Sequence, residues 1–75
     1  MEARLSELRR GEKTRIIRLE GGHGFRRNLE MRGIRTGKVV EVLTRQPAGG
    51  PIVIKIDNME ITLGRGMARK VIVER

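Results

Sequence analysis

The chain has 75 residues, of which 37% are apolar and 35% charged, with no cysteine and a formal net charge of +8. That length holds one small domain, expected over residues 1–75 and burying a little over ~60% of its unfolded surface. The apolar fraction argues against disorder, and the missing cysteines exclude a disulfide framework and a thiolate metal site.

The longest apolar runs, such as Val39-Val40 and Ile52-Val53-Ile54, fall far below the ~20 residues that span a bilayer. Met1-Glu2-Ala3-Arg4 lacks the apolar core of a secretory signal, so a cytoplasmic location is expected. A domain this small is expected to be of modest stability unless it forms a homo-oligomer. Lys and Arg number 17 against nine Asp and Glu, and 13 of the 17 are Arg. The excess reads as attraction to nucleic acid, an acidic membrane surface or an acidic protein face. It reads equally as solubility, since no five like charges are consecutive.

In chain order, Leu5-Ser6-Glu7-Leu8 is a short apolar-polar-polar-apolar segment before a turn at Arg9-Arg10-Gly11-Glu12. A strand follows over residues 13–20, where the adjacent pair Ile16-Ile17 predicts a bulge or two partly covered faces. Gly21-Gly22-His23-Gly24 is expected to be the most flexible loop. It feeds a short helix that starts at Phe25, with Phe25 and Leu29 on one face. Gly33 ends the helix in a left-handed conformation, Ile34 plugs back into the core, and Arg35-Thr36-Gly37 turns the chain. A helix of about two turns is marginal alone, so it must pack on the strands around it.

Residues 38–45 read as a β-branched strand and residues 46–50 as a hairpin tip. The next strand, residues 51–57, places Ile52, Ile54 and Ile56 on one face, with Pro51 tolerated as its first residue. Asp57-Asn58 has the chemistry of a two-residue turn. Met59, Ile61 and Leu63 then face inward. Gly64-Arg65-Gly66-Met67-Ala68 is expected to form a single helical turn. Val71 and Val73 close the chain as a final strand. The sum is a mostly β fold: a small, bent, partly open barrel of about five strands with one short inserted α-helix.

Patterns for catalysis are weak. Gly11-Glu12-Lys13-Thr14 lacks the upstream glycine of a phosphate-binding loop. Gly64-x-Gly66 is followed by Arg69 where a dinucleotide fingerprint needs glycine. One His, no Cys and a distant Ser6 provide no nucleophile–base constellation, so a non-enzyme is expected. No cofactor is expected. His23 with Glu20 is an incomplete set for a transition metal such as Fe or Zn, completed only if a dimer doubles it, and an exposed loop histidine is the simpler reading. Arg26 and Arg27 are placed in the first helical turn, where positive charge opposes the macrodipole, and Arg32 and Arg35 bracket the other end. Either these four form a contact surface or they are a solvated face. Phe25 is the only aromatic residue and is expected to be buried. No platform for base stacking is left, and nucleic acid is disfavoured as a partner.

The order Leu5-x-x-Leu8-x-x-Gly11, a Gly loop, FRRNLEMRGIRTG, the GGP at 49–51, and LGRGMA before Val71-x-Val73 resembles the FeoA family over nearly the whole chain. The same module is similar to the C-terminal SH3-like domain of DtxR-type iron-dependent repressors. The resemblance implies an SH3-like barrel with an inserted helix and no catalytic activity of its own. It also implies a role in ferrous iron uptake beside the FeoB transporter, whose cytoplasmic GTP-binding region is the expected partner and could recruit the protein to the inner membrane face. Arg32 departs from the family, which usually carries Leu or Met there. Either Met31 takes over that packing or Arg32 is exposed for contact. Arg26, Arg27, Arg32 and Arg35 are the expected contact residues, and Gly33, Gly37, Gly64 and Gly66 the positions of special backbone conformation. A second reading comes from Gly37-Lys38-Val39-Val40-Glu41-Val42, which resembles the start of a KOW-type segment and implies a nucleic-acid-binding barrel.

Overall fold

A computed structural model describes all residues, Met1–Arg75. Its strands are β1 (Glu2–Arg4), β2 (Lys13–Leu19), β3 (Val39–Arg45), β4 (Ile52–Ile56), β5 (Met59–Leu63) and β6 (Val71–Glu74). Helix α1 (His23–Met31) lies between β2 and β3, and α2 (Arg65–Ala68) between β5 and β6. A 3₁₀ turn at Leu5–Glu7 follows β1 and buries Leu5, with Leu8 buried just beyond it. The expected mostly β, SH3-like barrel is the fold that forms, with six strands instead of five. The extra strand, β1, has only Ala3 turned inward, too little alternation to read from the sequence. Pairing makes it a strand: Glu2, Ala3 and Arg4 lie opposite Glu74, Val73 and Ile72.

All pairings are antiparallel, in the order β1-β6-β2-β3-β4-β5. Strand β2 is the corner. Its first residues, Lys13 to Arg15, pair with β3, and Ile16 to Leu19 pair with β6, with a register shift between Ile16 and Arg18. The adjacent isoleucines therefore do mark a bulge. A second shift, between Val42 and Thr44, bends β3 against β4. Such irregularities increase local twist, and here they let one sheet curl over one core. That core takes Val40, Val42, Ile52, Ile54, Ile56, Ile61 and Leu63 from the hairpin strands, and Leu29 and Ile34 from the helical insertion. Every one of the 18 buried residues is apolar, so no ionisable side chain is sequestered from water.

The helix begins earlier than expected. Gly22 is its N-cap, and His23 and Gly24 are already helical, not loop. The reason is local: Arg26 N–H bonds back to the Gly22 carbonyl at 3.0 Å, closing a turn that includes both. Arg26 and Arg27 consequently fall beyond the first turn, where the macrodipole penalty has faded. The other end closes as read. Gly33 N–H bonds to the Glu30 carbonyl and Ile34 N–H to the Leu29 carbonyl, both at 3.0 Å, with Gly33 at φ +91°. This is a Schellman motif, and the buried pair Leu29 and Ile34 supplies its apolar contact. Gly37, at φ +92°, docks the next turn on β2 by donating to the Ile16 carbonyl at 2.8 Å.

Two expectations for the C-terminal half need correcting. Met59 does not face inward; it is half exposed. It starts β5 at the barrel's end, directly after the Asp57-Asn58 turn (φ +50° and +65°), with its Cε 3.3 Å from where a Gly33 Cβ would sit. Gly64 and Gly66 do not hold special conformations either. Gly64 is an N-cap at φ −63°, Gly66 is helical, and a Cβ on either would meet nothing within 4 Å.

Candidate docking face

On α1, residues 25, 29 and 32 share one side at helical spacing, and Leu29 is fully buried while Phe25 packs partly buried against the core. Arg32, the C-cap just past α1, follows at the same spacing but stays exposed. Its guanidinium lies over the barrel, donating to the Thr62 carbonyl at 2.9 Å and reaching Met67 Sδ at 4.0 Å. Of the two expectations for this position, Met31 does not take over the packing, being 76% exposed, and Arg32 is itself exposed. Instead Arg32 caps a carbonyl of β5, which is an edge strand. Such an edge otherwise presents unpaired backbone groups.

The four arginines thus do not form one cluster. Arg35 donates through Nε to the Glu30 carbonyl at 3.0 Å, covering the exposed end of α1. Its side chain also lines a shallow cleft with Arg27, Glu30, Met31 and Thr36. Arg27 and Met31, four apart, stand side by side on that outer face. Arg26 and Arg27 are both exposed and enter no ion pair. The outer face of α1 is therefore a cationic rim beside one exposed thioether. Met31 reads from the sequence only as a packing substitute, although its position off the Phe25–Leu29 stripe is the signal that marks it as solvent-facing.

The metal candidates are not brought into a site. Arg4 donates to Glu20 at 3.0 Å, and Arg18 stands 3.6 Å from its other oxygen. The Arg4 hydrogen bond, with the charges of Arg4 and Arg18, holds the Glu20 carboxyl below its ordinary range. Arg18 in turn pairs with Glu2 at 2.7 Å, and that bond raises its pKa. Glu20 is thus the centre of an ion-pair network tying β1 to β2, and His23 stands exposed at the start of α1. No three His, Asp or Glu side chains gather in a metal-binding arrangement. Phe25, expected to be buried, is only partly so, with Lys70 Nζ 5.6 Å from its ring centroid.

Comparison with known proteins places these features in context. The sequence pattern of the FeoA domain matches residues 3–75. A protein of Methanocaldococcus jannaschii, provisionally named Fe(2+) transport protein A, is 31% identical over 70 residues, covering 93% of this chain and 83% of its own. An Fe(2+) transport protein A/Fe(2+) transporter FeoB fusion protein of Porphyromonas gingivalis is 35% identical over 71 residues. That match takes in 95% of this chain and only 8% of the fusion. The crystal structure of an iron uptake regulatory protein (FeoA) superposes with a TM-score of 0.90 at 34% identity, over 97% of this chain and 96% of that one.

Proposed function

Because this chain belongs to the FeoA domain family, we propose that it serves ferrous iron uptake as a non-catalytic module that docks on the cytoplasmic GTP-binding region of a FeoB-type transporter. The P. gingivalis fusion, in which the two are one polypeptide, supports FeoB as the partner. The observation that carries the docking face is the outer side of α1. Arg26 and Arg27 are exposed there and enter no ion pair, although Glu30 shares the cleft with Arg27, and Met31 is 76% exposed. Exposed guanidiniums steer an acidic surface into register and raise the association rate. A flexible thioether adapts to an apolar pocket and lengthens the complex's life. Arg35 acts at the rim of that face, while Arg32, already bonded to Thr62, holds the barrel side. On this reading the protein works in the cytoplasm and reaches the inner membrane face through its partner, and iron is the partner's cargo.

Binding of the parent and of an Arg26→Glu/Arg27→Glu variant to the GTP-binding region of the FeoB from the same organism tests this at physiological salt. Charge reversal is expected to raise Kd at least about tenfold, a loss of about 1.4 kcal/mol, with folding unchanged. Equal affinity of the two would move the contact off α1. Absence of parent binding would overturn the docking reading.

A further inference from the structure

Four clefts mark the surface, and three of them mix cations with carboxylates. One holds Arg4 and Arg18 with Glu2, Glu7 and Glu20; one holds Lys13 and Lys55 with Glu41 and Asp57; and the α1 cleft contains Glu30. The fourth, about 400 Å³, differs. Its lining is Arg45, Gln46, Pro47, Ala48, Gly49 and Arg65, with two cations and no acid.

Both guanidiniums are fixed in place. Arg45 donates through Nη1 to the Leu8 carbonyl at 2.8 Å and through Nη2 to the Ser6 carbonyl at 2.9 Å. Arg65, half-buried, donates through Nε to the Gly50 carbonyl at 3.1 Å and through Nη2 to the Gln46 carbonyl at 2.9 Å. Neither side chain enters an ion pair. A guanidinium has five N–H donors, so each keeps three after its carbonyl bonds. The backbone carbonyls orient these side chains but leave both full charges uncompensated across one cleft. One staple would hold the hairpin tip; two guanidiniums without a carboxylate on one cleft make its potential positive and favour an anion.

We propose that this cleft binds a phosphate group. Two planar forks held by backbone carbonyls suit a tetrahedral dianion whose oxygens accept several charge-assisted bonds. A phosphate monoester carries close to two negative charges near neutral pH, which matches the two arginines. Pre-orientation matters because most of the side-chain entropy that a flexible arginine loses on binding is already lost here. The phosphate group could belong to a soluble monoester or to a lipid headgroup, and the site lies apart from the α1 face and stands independently of the docking proposal.

The test is a titration of the ¹⁵N-labelled full chain with inorganic phosphate, ionic strength held constant with sodium chloride. Saturable shifts are expected at Arg45 and Arg65 Nε–H and at the amides of residues 46–50. Arg65→Lys, which keeps the charge and removes the fork, is expected to weaken binding about tenfold. Arg10→Lys, exposed and outside the cleft, should leave it unchanged. Vesicles of phosphatidylcholine with and without phosphatidic acid identify the source: co-sedimentation lost in Arg65→Lys assigns a lipid headgroup, and saturation by inorganic phosphate without co-sedimentation assigns a soluble one. Shifts no larger than those from chloride, or spread equally over Arg26 and Arg27, would overturn the proposal. The parent titration alone decides this even if Arg65→Lys does not fold.

Discussion

Gly33→Ala and Gly66→Ala are expected to change stability in opposite directions, although both glycines read alike in the sequence as positions of special backbone conformation. At Gly33 the backbone has φ +91°. An L-residue forced into positive φ loses roughly 1–2 kcal/mol, because its Cβ crowds the following carbonyl. The new methyl would also approach Met59 Cε at 3.3 Å, but the end of a flexible, half-exposed side chain moves aside at little expense. Strain in the Schellman turn is therefore the main contribution. At Gly66 the backbone is helical and a methyl meets nothing within 4 Å. There, alanine removes conformational freedom from the unfolded chain and gains about 0.5 kcal/mol. For a domain of this size, each kcal/mol moves Tm by about 4–8 °C. Thermal unfolding by circular dichroism should show Gly33→Ala melting roughly 5–15 °C lower and Gly66→Ala a few degrees higher. Equal shifts, or a Gly33→Ala protein as stable as its parent, would refute the assignment of the α1 terminus to a left-handed glycine.

The Glu20 network predicts a pH dependence. Because the folded-state pKa of Glu20 is depressed, its stabilising share is present above the unfolded carboxylate pKa and disappears as pH falls through the folded value. Glu20→Gln should be less stable than the parent at neutral pH and converge with it below the ordinary value of 4.5, with the gap narrowing in salt because the pairs are exposed. Urea unfolding at a series of pH values checks this, and a gap persisting at low pH would exclude the ion pairs as its cause. Arg32→Ala separates barrel support from docking. It should unfold with about 1 kcal/mol less stability, from loss of the Thr62 bond, and bind the GTP-binding region as the parent does. Loss of binding with unchanged stability would return Arg32 to the contact face.

Much of the fold was legible because local rules acted alone. Ile52, Ile54 and Ile56 alternate, Asp57-Asn58 both adopt positive φ, and Gly33 followed by Ile34 ends a helix and sends its next residue inward. In each case the determining interactions span only a few residues, so composition and spacing determine the result. The family pattern was likewise present in residue order. The tertiary structure decided what depends on partners distant in sequence. Strand β1 exists because β6 lies beside it, some seventy residues on in the chain. Arg32 faces the barrel because Thr62 presents a carbonyl there, and Glu20 is taken by Arg4 and Arg18 and does not join His23. Arg45 and Arg65 come to line one cleft only when the hairpin tip folds back against α2 and the 3₁₀ turn. A run of charges says how many arginines a chain carries. Which of them are used up on carbonyls and carboxylates, and which stay free for another molecule, is set by the long-range contacts of the folded barrel.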